Sequence, residues 1–154
     1  LLPSLDALIA CFRELETRYK GIVKSGRTHL QDAVPISFSQ EISGWRSSLE
    51  TDLELIRASI PPLSSLALGG TAVGTGLNAP KGFDTEAAKA VSELTGKPFR
   101  TAENKYHALT SKSELVYSHG ALKALAADLP APAAVSAKST FRRMSPAPRL
   151  CPAK

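Results

Sequence analysis

The chain has few cysteines, few aromatic residues and no long apolar run. Two of its 154 residues are cysteine, and 6% are Phe, Trp or Tyr. Cys11 lies in a helical pattern and Cys151 in a proline-rich tail, so they provide neither a disulfide framework nor zinc-ligand spacing. Charged residues interrupt every apolar stretch before it reaches the ~20 residues of a membrane span. The sequence therefore argues against a membrane-spanning protein and favours a reducing cytoplasmic or mitochondrial-matrix setting.

A methionine start and a basic leader are also missing. The chain begins Leu1-Leu2-Pro3, which is typical of neither a signal peptide nor a transit peptide. We therefore expect an internal fragment of a longer protein.

Acidic residues are missing from the end of the chain. The net charge of +5 combines 19 basic and 14 acidic residues. Five basic residues and no acid fall in residues 130–154, so residues 1–129 carry 14 charges of each sign. Nucleic-acid-binding domains present basic residues on a face of the folded body. The distribution therefore predicts no nucleic-acid partner, and it sets residues 130–154 apart as a disordered, Pro/Arg-rich tail.

Apolar residues at spacings of three and four predict four helices and no strand. The predicted ranges are residues 4–24, 37–60, 84–95 and 105–129. The fold class is therefore all-α, a bundle of long helices. Four helices cannot bury all of these apolar stripes against one another, so we expect part of the apolar helix surface to contact other chains.

Capping residues mark the predicted helix ends. Ser4 is the expected cap of the first helix, and Gly26 is its expected stop. Ser37 and Gln40 have the spacing of a capping box, and Asp84 is the expected N-cap of the third helix. The residues expected on or near the buried side of the fourth helix are Leu109, Val116, Leu122, Leu125 and Leu129.

A glycine-rich segment at residues 67–83 contains five glycines. It lacks the Gly-Lys-Ser/Thr ending of a phosphate-binding loop and the strand that would precede it. We therefore expect a structured bend between helices, with no bound nucleotide.

A polar run at residues 25–33 separates the first two predicted helices. Its sequence Ser-Gly-Arg-Thr-His-Leu-Gln-Asp-Ala provides a hydroxyl, an imidazole, a guanidinium, an amide and a carboxylate. Loops held between rigid helices often carry catalytic and binding groups. Thr28 and His29 are the candidate site residues, although an isolated histidine is more often structural and a lone threonine resembles a capping residue.

Four segments form a recognisable pattern: Gly-Arg-Thr-His-Leu-Gln-Asp-Ala at 26–33, Gly-Gly-Thr-Ala-Val-Gly-Thr-Gly-Leu-Asn at 69–78, Asn-Lys-Tyr at 104–106 and His-Gly-Ala-Leu at 119–122. In order and spacing they resemble the central helical domain of class II fumarases, in the fumarase/aspartase superfamily. The resemblance runs from about residue 5 to residue 129. Aspartases resemble the chain too, but they typically carry Gln where this chain has His29, so His29 favours fumarase.

The resemblance implies a reversible anti hydration of fumarate to (S)-malate in the tricarboxylic acid cycle, without an organic cofactor or a metal. It implies a homotetramer whose active sites combine three signature regions from three chains. Thr28 would bind a substrate carboxylate through its hydroxyl and backbone N–H. His29 would take part in proton transfer, since an imidazole exchanges protons near neutral pH. The resulting dianion needs a dense set of hydrogen-bond donors.

The first and third signature regions of that family do not occur in this sequence. The first is a Ser-Ser-Asn run, and the third is a loop reading Gly-Ser-Ser-x-Met-Pro-x-Lys-x-Asn. Read one base out of frame with suitable synonymous codons, the chain from Leu129 to Lys154 spells the third signature. We therefore expect a partial central domain at 1–129, a frame-shifted tail at 130–154 and negligible activity from this chain alone.

Two other interpretations stay open. One is a related lyase that acts on aspartate or argininosuccinate. An aspartate lyase would be recognised by the release of ammonia from aspartate. The other is a non-catalytic helical scaffold that associates through its apolar stripes.

Overall fold

The structure, a computed structural model, describes residues 1–130, and helices dominate them. The elements in chain order are α1 (Leu2–Arg18), β1 (Val23–Thr28), β2 (Gln31–Ser37), α2 (Phe38–Leu63), β3 (Ser65–Leu66), α3 (Phe83–Thr95), β4 (Arg100–Thr101), α4 (Lys105–Thr110) and α5 (Ser113–Asp128). The all-α class is confirmed, although short strands occur that the apolar periodicity does not predict. All but the first residue of the predicted tail lies outside the described residues.

The chain divides into two compact units. Among the described residues, one unit comprises Leu1–Glu54 together with 122–130, and the other comprises Leu55–Ala121. Helices α2 and α5 each contribute residues to both units. Thr28 and His29 belong to the first unit, whereas the glycine-rich segment belongs to the second.

Helix α1 begins earlier than predicted. Leu1 occupies its cap position and a proline lies in its first turn, so Ser4 is inside the helix and does not cap it. Proline suits this place because the first N–H groups of a helix lack partners in any case. The predicted apolar stripe is confirmed by four buried residues, Leu5, Ile9, Phe12 and Leu15.

Helix α1 also ends earlier than predicted, at Arg18. Ile22 and Val23 continue the helical spacing in sequence but lie in the following turn and in β1. Their β-branched side chains fit a strand better than a helix. Gly26 lies inside β1 and stops no helix.

Helix α2 begins with the predicted capping box. The Ser37 N–H donates to Gln40 Oε1 at 2.9 Å, and the Gln40 N–H donates to Ser37 Oγ at 3.2 Å. The helix continues through Pro61 and Pro62 and ends at Leu63.

Two arginines join α1 to α2 on the surface of the first unit. Arg46 donates to Glu16 at 2.8 Å and to Glu50 at 2.6 Å, and Arg13 donates to Glu50 at 2.7 Å. Hydrogen bonds from the Arg13 and Arg46 side chains lower the pKa of Glu50. Since Arg13 precedes Glu16 while Glu50 follows Arg46, these bonds require α1 and α2 to run antiparallel.

The predicted fourth helix is two helices, α4 and α5. Ser111 adopts an extended conformation, and its hydroxyl accepts the N–H of Ser113 at 3.2 Å. A serine hydroxyl that accepts a backbone N–H competes with the helical hydrogen bond, which explains the break.

Helix α5 is apolar on several sides. Leu125 is buried as predicted, but Val116 is 69% exposed, Leu122 44% and Leu129 38%, contrary to the prediction that they lie on or near a buried side. A helix that is apolar all round is normally covered on all sides. Its surface therefore fits the expectation that part of the apolar stripes faces other chains.

Candidate functional site

The predicted polar loop is a β-hairpin. Strands β1 and β2 pair antiparallel, with Val23 opposite Ser37 at the base and Thr28 opposite Gln31 at the tip. Arg27 Nε donates to Asp32 Oδ1 at 2.9 Å across the hairpin. Both side chains are 70% exposed, so this pair adds little stability and mainly fixes the local register.

A bulge interrupts the hairpin pairing between Ser25 and Arg27. A Cβ at Gly26 would lie 2.7 Å from the carbonyl oxygen of Val34, which is closer than real Cβ contacts. Glycine is therefore required where the two strands approach, and the bulge directs the residues that follow it.

The tip of the hairpin is a two-residue turn formed by His29 and Leu30. Their φ angles are +50° and +62°, in the left-handed region. Two consecutive positive φ angles are typical of a type I′ hairpin turn, which normally uses Asn-Gly or Gly-Gly. Side chains with a Cβ cost about 1–2 kcal/mol per residue in this conformation. Such local strain is concentrated at functional sites. The positive φ of His29 therefore favours a functional role for this residue.

Thr28, His29 and Leu30 all face solvent in this chain, and Leu30 is fully exposed. Within residues 1–130 the His29 ring has no hydrogen-bond partner. The tip therefore offers an unpaired imidazole and a hydroxyl to solvent, beside Gln31, which lies opposite Thr28. This arrangement can deliver a proton-transfer group to a site, but it does not form an enclosed site by itself.

The base of the hairpin is fixed to the start of α2. The Phe38 N–H donates to the Ile22 carbonyl at 2.8 Å, and Lys24 Nζ donates to Glu41 Oε2 at 2.6 Å. The rings of Tyr19 and Phe38 lie 5.2 Å apart. The tip is thus exposed while its base is held, which suits a group that must be placed accurately against a second surface.

The glycine-rich segment is a structured bend, as predicted, and it closes on the start of α4. The short strand β3 precedes it, contrary to the expectation that no strand would. The N–H groups of Gly74 and Gly76 both donate to the carbonyl of Gly70, at 2.9 and 3.1 Å. A Cβ at Gly74 would lie 2.7 Å from the Tyr106 ring. The resemblance used Asn104-Lys105 as a fumarase signal, and here Asn104 caps α4 by accepting the N–H of His107 at 2.9 Å.

An ion pair inside the second unit holds the start of α3 to the start of α4. Lys105 Nζ donates to Asp84 Oδ2 at 2.7 Å, and Thr101 Oγ1 donates to the same oxygen at 3.0 Å. Asp84 lies in the first turn of α3, since Gly82 occupies the cap position predicted for Asp84. The hydrogen bond from Lys105, and then that from Thr101, lower the pKa of the Asp84 carboxyl from 3.8 to about 2.

This ion pair makes stability depend on pH in acid. A carboxyl whose pKa is lower in the folded chain stabilises it above the unfolded value of 3.8, and this contribution disappears as pH falls to about 2. We expect Lys105→Met to remove most of that contribution, so that urea-unfolding midpoints vary less between pH 4 and 2. Lys89→Met, at an exposed site on α3, is the matched control and should follow the wild type. An unchanged pH slope in Lys105→Met would refute the assignment.

Two clefts in the second unit do not include the predicted site residues. The larger, of about 560 Å³, is lined by Arg100, His107 and Lys112 among others, and the smaller, of about 370 Å³, lies beside the glycine-rich segment. Neither contains Thr28 or His29. Within residues 1–130 no three His, Cys, Asp or Glu side chains lie close enough together to hold a metal ion. In that same part of the chain, none of the helices combines the length and apolarity needed to span a bilayer.

The chain is similar to curated class II fumarate hydratases. It is 54% identical over 129 residues to the enzyme from Oceanobacillus iheyensis and 56% identical over 129 residues to that from Staphylococcus haemolyticus. Both matches cover 84% of this chain but 28% of the relative, so the chain spans just over a quarter of the length of these relatives.

The fold is similar to a solved class II fumarase from Schistosoma mansoni. The TM-score is 0.75 at 37% identity, over 83% of this chain and 30% of that structure. A family model described as "Lyase" matches residues 1–133, which is most of the chain. The exposed Thr-His hairpin thus occurs in a chain that matches this model over nearly all its described length, and the chain belongs to the lyase family.

Proposed function

We propose that this chain provides one part of a fumarate hydratase active site, and that the site performs the reversible hydration of fumarate to (S)-malate. The observation that carries the proposal is the turn conformation of His29. An imidazole at positive φ, on the exposed tip of an anchored hairpin, occupies a turn position where Asn or Gly would cost less. The surrounding sequence and the similarity to class II fumarate hydratases support fumarate hydration as the reaction.

The two tip residues have different proposed roles. Thr28 would bind a substrate carboxylate through its hydroxyl and N–H, because a hydroxyl and an amide together match a carboxylate oxygen pair. His29 would exchange a proton during hydration. The proposed substrate is therefore a small dicarboxylate.

The remaining hydrogen-bond donors would come from other chains. Leu30 and Val34 on the hairpin are 103% and 76% exposed, and Val23 at its base is 69% exposed. Apolar side chains presented around a polar tip are typical of an interaction surface. We propose that the chain acts in a homo-oligomer, a tetramer as in the family it resembles, within the cytoplasm or the mitochondrial matrix.

A chimera tests the proposal. The 129-residue matched segment of the Oceanobacillus iheyensis fumarate hydratase is replaced by the corresponding residues of this chain. We expect the chimera to hydrate fumarate and to release no ammonia from aspartate, whereas the 154-residue chain alone shows no turnover. A folded, tetrameric chimera without activity would support the scaffold interpretation, and ammonia release would support an aspartate lyase.

Thr28→Val in the chimera tests the binding role. Valine keeps the shape and the strand preference of threonine but loses the hydroxyl. A hydrogen bond to a charged group is worth about 1.5–3 kcal/mol, so we expect KM for fumarate to rise about 10- to 100-fold. Thr51→Val, at an exposed position of α2, is the control. An unchanged KM in Thr28→Val would remove Thr28 from the site.

A further inference from the structure

A carboxyl group is buried in the first unit without a hydrogen-bond partner among residues 1–130. Asp52 on α2 is 3% exposed, and its Oδ2 accepts no hydrogen bond. The neighbouring positions on the same face of α2, Leu49 and Ile56, are 1% and 6% exposed. An ionised carboxylate without hydrogen bonds or a counter-ion is costly in such surroundings, and a group so placed tends to remain protonated.

The charge that acts on Asp52 increases this cost. Burial is the main cause that raises the pKa of Asp52, and the negative charge of Asp128 on α5 adds to it. No basic group of the described part of the chain offsets these effects. The arginines that join α1 to α2 are engaged elsewhere, since Arg46 is bound to Glu16 and Glu50 and Arg13 is bound to Glu50.

We propose that Asp52 is a proton-dependent switch of the first unit: the neutral carboxyl fits its buried position beside Leu49 and Ile56 on α2, and loss of its proton destabilises that packing. The like negative charge of Asp128 on α5 adds to the cost of the ionised form of Asp52. This inference is independent of the catalytic role of the hairpin.

The sign of the pH effect follows from the direction of the shift. The unfolded chain loses the Asp52 proton near 3.8, whereas the folded chain retains it to higher pH. The folded state then binds more protons in this interval, so stability falls as pH rises from the unfolded value to the folded one and is constant above it. Each pH unit of that interval changes the unfolding equilibrium constant about tenfold.

Asp52→Asn isolates the switch, because an amide has a similar shape and does not ionise. Trp45 is the single tryptophan and lies in the first unit, so its fluorescence reports urea unfolding of the unit that contains Asp52. We expect Asp52→Asn to lower the unfolding constant at pH 7 relative to the wild type, by about tenfold for each unit by which folding raises the Asp52 pKa. The two proteins should converge as pH falls towards 4.

Two further variants give the test its specificity. Asp128→Asn should produce a smaller stabilisation at pH 7, because burial outweighs the charge of Asp128. Glu54→Gln, two residues away on an exposed side of α2, should behave as the wild type at every pH. If Asp52→Asn is less stable than the wild type at pH 7, the proposal is wrong, since the ionised Asp52 carboxylate would then have a favourable partner.

Direct titration provides a second measurement on the same chain. Carbon-13 NMR of uniformly labelled protein, with the Asp52 carboxyl assigned through its correlations to the backbone of the wild-type chain, should give a carboxyl midpoint above 3.8. A midpoint at or below that value would overturn the proposal even if Asp52→Asn fails to fold.

Discussion

His29→Asn in the chimera is expected to lower kcat for fumarate hydration by about 100- to 10,000-fold, the range that general acid–base groups usually contribute. The substitution removes the imidazole and keeps the turn. Asparagine is one of the few non-glycine residues that readily adopts positive φ, so the hairpin tip is not strained further. Loss of rate can therefore be assigned to proton transfer and not to misfolding.

The control for His29→Asn is His107→Asn. His107 is an exposed histidine on α4, away from the hairpin in sequence and in the other unit. We expect its replacement to leave kcat within about twofold. If His29→Asn retains the wild-type rate in a tetrameric chimera, the hairpin tip has no catalytic role.

Gly74→Ala is expected to destabilise the second unit by at least 2 kcal/mol, an order-of-magnitude sum of two effects. Gly74 has a φ of +100°, and an added Cβ would lie 2.7 Å from Tyr106 Cδ1 and 2.9 Å from the Tyr106 backbone nitrogen. The Tyr106 ring could move, but the backbone nitrogen belongs to α4 and cannot move without displacing the helix. The glycine-rich segment would therefore separate from α4.

The control for Gly74→Ala is Gly82→Ala. Gly82 also has a positive φ, of +82°, but an added Cβ would meet nothing within 4 Å. It should show the conformational cost alone, about 1–2 kcal/mol. Thermal unfolding by circular dichroism compares the two variants, and equal losses would show that the contact with Tyr106 carries no cost.

The long helices of this fold could be predicted from the sequence because their apolar residues keep one period over many turns. The Ser37–Gln40 capping box fixed the start of α2, and its geometry is as expected. Helix α3 likewise ends at Thr95 before Gly96 as predicted. Such signals are local, since the residues that form a helix cap are also the sequence pattern that predicts it.

The hairpin could not be predicted in the same way. The sequences of its strands show no regular alternation of apolar and polar residues, because most of their side chains are exposed. Its turn uses His-Leu, where Asn-Gly would be the usual signal. The break between α4 and α5 involves a single serine hydroxyl. The ion pair of Lys105 joins it to Asp84, 21 residues away in sequence, and local patterns do not show such a pair. The proposed site residues, Thr28 and His29, were found through the motif and not through the predicted structure.

Complementation between two inactive chimeras tests the shared-site account most directly. One chimera carries His29→Asn. The other keeps His29, but in the part that comes from the Oceanobacillus iheyensis enzyme the serine of the third signature loop is replaced by alanine. We predict that each is inactive alone and that activity returns when the two are unfolded and refolded together, because some sites then combine an intact hairpin with an intact loop from different chains. Mixed tetramers that remain inactive would contradict the claim that this hairpin completes its chemistry with another chain.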